Sequence, residues 1–173
     1  VTGATLVSDF AGLDRVQALL RQAGDRLADP SPLLREIGAA LVQSTRERFD
    51  TMSDPTGKKW AALSPDTKLS RMGGARRVYT KKMTFRKGAA DKMSRMTILF
   101  RQGHLRNSIT ARANRTGVEI GTNLVYGALH QFGGRAGRGQ KITIPARPYL
   151  GVSATDEDRI ATLAQEYLRE VLP

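Results

Sequence analysis

Apolar residues recur at helical spacing in three stretches of the chain. In the first, Leu13, Val16, Leu20 and Leu27 follow Ser8 and Asp9, either of which can cap a helix that ends near Asp29 and Pro30. The second opens on Ser31 as N-cap and Pro32 as first helical residue. Leu34, Ile37, Leu41, Thr45 and Phe49 then share one face, while Arg35, Glu36, Arg46 and Glu47 lie elsewhere. The third runs from Ala154 to Val171 with Ile160, Leu163, Tyr167, Leu168 and Val171 as its stripe. Thr155, Asp156, Glu157 and Asp158 sit at its start, where the helix dipole explains the acids.

Between the second and third helices the period shortens. Asp54-Pro55-Thr56-Gly57 reads as a turn, with Trp60 anchoring the following loop on the core, and Ser64-Pro65 repeats the cap-then-proline signal for a short helix through about Arg71. Ile109, Ala111 and Ala113 alternate with polar residues, as do Val118 and Ile120, and a turn at 114–117 makes them a hairpin. Val125 to Phe132 suits a short helix stopped by Gly133-Gly134. The RAGRGQ segment then reads as a flexible basic loop, and KITIP as a strand stopped by proline. The sum is an α+β domain: a small, mainly antiparallel sheet flanked by two N-terminal helices and a C-terminal helix.

One stretch resists this treatment. Residues 72–96 mix Gly73-Gly74, Arg76-Arg77, Lys81-Lys82 and Arg86-Lys87-Gly88 with scattered apolar residues and no sustained period. It is expected to be a basic extension, partly disordered when free, or a β-hairpin arm built on Tyr79, Met83 and Phe85. At 173 residues the chain fits one domain over 1–173 with this insertion.

Charge sharpens the picture. The net charge is +12, and the segment 58–106 alone supplies it: fourteen Lys or Arg residues stand there against Asp66 and Asp91. Such a cationic region attracts nucleic acid, acidic protein surfaces or anionic lipid. Trp60, Tyr79, Phe85 and Phe100 interleave with the cations, the mixture that stacking and phosphate neutralisation use, so a basic nucleic-acid-binding protein is the alternative reading. A membrane role would need an amphipathic basic helix, which the glycines here oppose. The start VTGATLVSDF lacks the basic-then-apolar order of a signal peptide, so a cytosol-like setting is expected.

Candidate chemistry is sparse. The absence of cysteine removes disulfides, thiolate metal sites and thiol nucleophiles. The only histidines, His104 and His130, lie 26 positions apart. Neither they nor Ser108, Ser153 and the 156–158 acids fall into a nucleophile or metal motif. His130 is expected to pack or hydrogen-bond beside Phe132. The glycine-rich 133–139 segment lacks both phosphate-loop patterns and is followed by a strand instead of a helix. No catalytic, cofactor or metal site is expected.

Five ordered blocks say more. Phe49 precedes Asp54-Pro55, Gly57 and Trp60; then come Gly103, Leu105 and Ser108. Ile120-Gly121, Tyr126 and His130-Gln131-Phe132-Gly133 follow, and Ile144-Pro145-Ala146-Arg147-Pro148 with Leu150-Gly151 closes the series. In this order, over about residues 31–165, the chain resembles the phage virion morphogenesis family, the tail-completion proteins of contractile-tailed and Mu-like phages. Gly127 departs from the alanine more usual after the tyrosine, a change expected to be harmless.

The resemblance implies a non-enzymatic assembly protein, made in the bacterial host cytoplasm and carried in the virion at the head–tail junction. It implies a ring, commonly sixfold, that terminates or completes the tail, with tail tube or sheath proteins and head-connector proteins as partners. Three interface elements are expected: the arm with Arg76, Arg77, Lys81, Lys82, Arg86 and Lys87, the loop with Arg135 and Arg138, and the turn Pro145 to Pro148 with Arg147 in a fixed ion pair. The arm would meet acidic neighbours or line a lumen through which DNA passes. Trp60, Tyr126, His130, Phe132, Pro145 and Pro148 are the structural motif residues.

Overall fold

A computed structural model describes residues 4–6 and 29–171. The helix expected over Leu13 to Leu27 lies outside the described residues. Strand β1 (Ala4–Leu6) is followed by the long helix α1 (Ser31–Thr51), α2 (Pro65–Arg71), α3 (Ala75–Val78), α4 (Ala89–Ser94) and α5 (His104–Asn107). Strands β2 (Thr110–Ala113) and β3 (Val118–Thr122) come next, then α6 (Tyr126–Phe132), the hairpin β4 (Gly134–Ala136) and β5 (Ile142–Ile144), and the closing helix α7 (Ala154–Val171). The class is α+β.

Sheet order is β1-β3-β2, antiparallel throughout, with Ala111 opposite Ile120 and Leu6 opposite the same residue from the other side. The alternation of β3 turns Val118, Ile120 and Thr122 inward. The hairpin forms where the spacing predicts, because Asn114 Oδ1 accepts from the backbone N–H groups of Thr116 and Gly117 and holds the turn. Helix α1 lies across the sheet and against α7. Its predicted face is the buried one: Leu34, Ile37, Leu41, Thr45 and Phe49 are all within the core, joined by Leu33. At Gly38 the helix touches the sheet; a Cβ there would stand 3.0 Å from the Ala111 Cβ. Ile160, Leu163 and Ala164 of α7 close the other side of the core.

The segment 145–151 crosses the core as irregular backbone, and its polar groups are met largely by side chains. Arg48 Nη1 donates to the carbonyls of Tyr149 and Gly151 at 3.0 and 2.7 Å. Gln131 donates from Nε2 to the Leu150 carbonyl and accepts on Oε1 from the Tyr149 and Leu150 N–H groups, all at 3.0 Å. Trp60 Nε1 donates to Pro148 O at 2.8 Å. Buried backbone left without such partners costs on the order of 1–3 kcal/mol per group. Tyr149, fully buried, packs at 5.4 Å between ring centres on Phe49, which meets Trp60 edge-on.

Two expectations change, and one left open is decided. Residues 72–96 take the hairpin alternative and not the disordered one: α3 and α4 flank a tight turn in which Tyr79 bridges to Phe85, Thr80 N–H donates to Thr84 O, and Arg86 N–H donates to Val78 O. Val78 and Ala89 are buried and pin the arm's base. A stretch without period thus folds through turns and a hairpin too short to show an alternation. The segment 134–140 is likewise more than a loop, since β4 pairs with β5 through Arg135 opposite Thr143. Asp156 does not serve the helix dipole alone. It is buried, its Oδ2 takes a hydrogen bond and ion pair from Arg48, and it exchanges capping bonds with Ser153.

Gly127 matters more than its place in the motif suggests. A Cβ there would lie 2.5 Å from Thr122 Cγ2 and 2.9 Å from Tyr149 Oη. Neither neighbour can yield freely: the Thr122 hydroxyl is bonded to Ser108 Oγ and Tyr149 is fully enclosed. Gly127→Ala is therefore expected to destabilise by about 1–3 kcal/mol through overpacking, visible as a lower urea midpoint. Asp156→Ala leaves the Arg48 guanidinium buried without its counter-charge and is expected to cost about 3–5 kcal/mol by the same measurement.

Candidate functional site

The expected interface residues fall into two physical groups. Arg76, Arg77, Lys81, Lys82, Arg86 and Lys87 are all exposed on the arm. Alongside them the tip shows Met83 and Phe85, exposed by 74% and 51%. Arg86 is partly engaged within the arm, donating from Nε to the carbonyls of Arg76 and Tyr79 at 3.1 Å. Arg135 and Arg138 are exposed on the second hairpin and its turn. This surface is cationic, solvated and free of ion pairs among the described residues, so it is available to an anionic partner.

Arg147 belongs to the other group. It is buried, and its Nε and Nη2 donate to the carbonyls of Ala61 and Ala62 at 2.9 and 3.1 Å. Among the described residues it makes no ion pair. Its guanidinium instead ties the loop after Trp60 to the core segment. Pro145 remains exposed and Pro148 is half-buried.

The motif residues divide similarly. Trp60 is buried. Tyr126 and Phe132 are exposed by 41% and 68%, on the surface of α6 with Val125, exposed by 70%. The His130 ring meets Tyr126 edge-on at 6.0 Å, and its buried Nδ1 has no hydrogen-bond partner among the described residues. Burial, assisted by the positive Arg147, holds the His130 pKa below its ordinary value.

The hydrolytic candidates do not assemble. Ser108 Oγ donates to Leu105 O and bonds Thr122, Ser153 Oγ engages Asp156, and His104 Nε2 lies by Gln102. Neither histidine reaches a serine. No group of three His, Asp or Glu residues among the described residues could hold a metal ion.

The blocks of sequence thus converge on one structural node. Gly151 admits Pro55 of the 54–57 turn: a Cβ at 151 would stand 2.6 Å from Pro55 Cγ. Trp60, Gln131 and Arg48 bind the 145–151 segment from three directions. Comparison with known proteins gives this pattern a family. The model of the phage virion morphogenesis family matches residues 11–169. The chain belongs to that family. Among similar proteins, Mu-like prophage FluMu G protein 2 of Haemophilus influenzae is 36% identical over 138 residues, 78% of this chain and 91% of that one. Protein G of Escherichia phage Mu, whose name carries a provisional assignment to capsid assembly, is 32% identical over 148 residues, 84% and 83% of the two chains. No solved structure matches. Membership makes this a phage morphogenesis protein, a structural role in building virions. No described helix is long and apolar enough to cross a membrane.

Sequence reasoning missed Arg48, Gln131 and Asp156 as structural residues. Gln131 was within reach, since a polar residue inside an apolar short helix must satisfy itself somewhere. Arg48 stood one place from the apolar stripe and looked like part of the charged side.

The depressed His130 pKa has a sign that can be checked. The unfolded chain takes up the proton near the ordinary value of 6.5, whereas the folded chain resists it. Stability is therefore complete above that pH and falls as pH drops from about 6.5 toward the folded value. Thermal midpoints at pH 8 and pH 5.5 should differ in this direction. The difference should shrink in His130→Asn.

Proposed function

We propose that this protein is a non-enzymatic subunit that completes or terminates the phage tail and joins it to the head, working as a ring at the head–tail junction. Membership of the morphogenesis family carries the reading, and the exposed cationic arm supports it. A subunit that must grip neighbours of opposite charge needs exposed cations without internal ion pairs, as Arg76, Arg77, Lys81 and Lys82 are among the described residues. The exposed apolar positions Val125 and Phe132 on α6 add a surface suited to contact between copies, and head-to-tail contacts of one patch with a different one close into rings when the rotation allows. Tail tube or sheath and head-connector proteins are the neighbours this role requires.

A second reading, binding of nucleic acid by the arm, is favoured by Met83 and Phe85 standing exposed beside Lys81 and Lys82, where bases can stack and phosphates be neutralised. In a ring the two roles coexist, with the arm facing a lumen through which DNA passes.

Replacing Arg76 and Arg77 by glutamate in the producing strain should leave the isolated protein within about 0.5 kcal/mol of its original stability, because both side chains are solvated. Electron microscopy of the lysate should then show filled heads and tails that fail to join. Normal particle yield with the doubly reversed arm would remove the arm from the joining step. Joined particles that retain DNA poorly would favour the nucleic-acid role.

A further inference from the structure

A second basic feature lies away from the arm. The start of α2, the turn at 99–105, α6 and the end of β5 enclose an open cleft of about 380 Å³. Arg71, Arg101 and Arg147 line it together with His130, and none of its described lining residues is a carboxylate. Leu99 and Tyr126 contribute apolar walls. Three guanidinium groups gathered in one concavity repel one another. The strain is visible in Arg147 and Arg71, whose proton affinity falls by burial and then by the neighbouring cation, Arg71 for the first and Arg101 for the second. Internal bonds fix two of these groups, Arg71 through Nη1 to the Thr97 carbonyl at 2.7 Å and Arg147 to Ala61 and Ala62. Arg101 is exposed at the rim. The buried Nδ1 of His130, without a partner among the described residues, adds an unused polar atom in the same lining.

We propose that this cleft is a receptor for an acidic peptide segment of a neighbouring protein, taking a carboxylate side chain between Arg71, Arg101 and Arg147 and an adjacent apolar side chain against Leu99 and Tyr126. A carboxylate placed there offsets the mutual repulsion of the three cations, and the cleft's size falls in the range that encloses small groups. A second copy of this chain is a poor source of such a segment, because its acidic run at 156–158 is wound into the start of α7 and Asp156 is buried against Arg48. A nucleic-acid duplex presents its phosphates on a convex backbone that does not enter a concavity with apolar walls. The cleft stands on its own geometry; only the placing of its partner in the virion rests on the joining role proposed above.

The test is an amide NMR titration of the full chain with three probes: an acetylated Glu-Leu hexapeptide, its Lys-Leu counterpart, and a single-stranded oligonucleotide. The Glu-Leu peptide should shift the amides around Arg71, Arg101, Tyr126 and Ile144, and the Lys-Leu peptide should not. Arg101→Glu, a rim change at a side chain that makes no internal hydrogen bond among the described residues, should weaken this binding about tenfold or more. Arg112→Glu, an equal charge change on exposed β2, should alter it by less than about twofold. The proposal is overturned by any of three results: no shift at about 5 mM Glu-Leu peptide, equal effects of the two reversals, or the oligonucleotide moving the same amides at lower concentration. Particle joining is not read in this experiment, so its outcome is separable from that of the tail-completion role.

Discussion

Everything in this molecule is arranged around one length of irregular backbone that runs through its core. A chain segment that is neither helix nor strand brings N–H and C=O groups into the interior, and each must be paired or the fold loses stability. From Arg147 to Gly151 the pairing comes from α1 through Arg48, from α6 through Gln131, and from the loop after the 54–57 turn through Trp60. Arg48 is held in turn by Asp156 at the start of α7. Helices far apart in sequence are thereby locked to one strip of backbone, and the aromatic group of Phe49, Trp60 and Tyr149 fills the space around it.

This constraint explains why the recognisable motifs take the form they do. The glutamine of HQFG stands in for a strand, giving one donor and one doubly used acceptor to its neighbour. The arginine of IPARP serves the interior, tying down Ala61 and Ala62, while the prolines on either side shape the path of the chain. Gly127 and Gly151 allow approaches that a methyl group would block, to Tyr149 and Pro55 respectively. A rigid centre of this kind suits an assembly protein, because the cationic arm, the second hairpin and the exposed face of α6 are then presented from a fixed frame.

The cations divide by the same logic. Of those inside, Arg48 is held by carbonyls and by Asp156, whereas Arg147 bonds two carbonyls and also lines the cleft. The solvated ones on the arm carry long-range attraction that salt screens. Between the two lies the cleft of Arg71 and Arg101, where partly buried charge meets apolar walls and specificity for an anionic group can be built.

By itself the sequence determined the elements with a strong local signal. The stripe of α1, the cap at Ser64, the turn at 114–117, the stop at Gly133 and the bounds of α7 all follow from periodicity, capping and turn chemistry within a few residues. The family, too, was legible in its ordered blocks. Only the tertiary structure decided what those blocks are for, because their partners are long-range: Trp60 and Pro148 are 88 positions apart, and Arg48 and Asp156 are 108. No local pattern distinguishes an arginine that will be buried against a carbonyl from one that will face water. The same holds for residues 72–96, whose order comes from the burial of Val78 and Ala89 and from a two-residue bridge too short to leave a period.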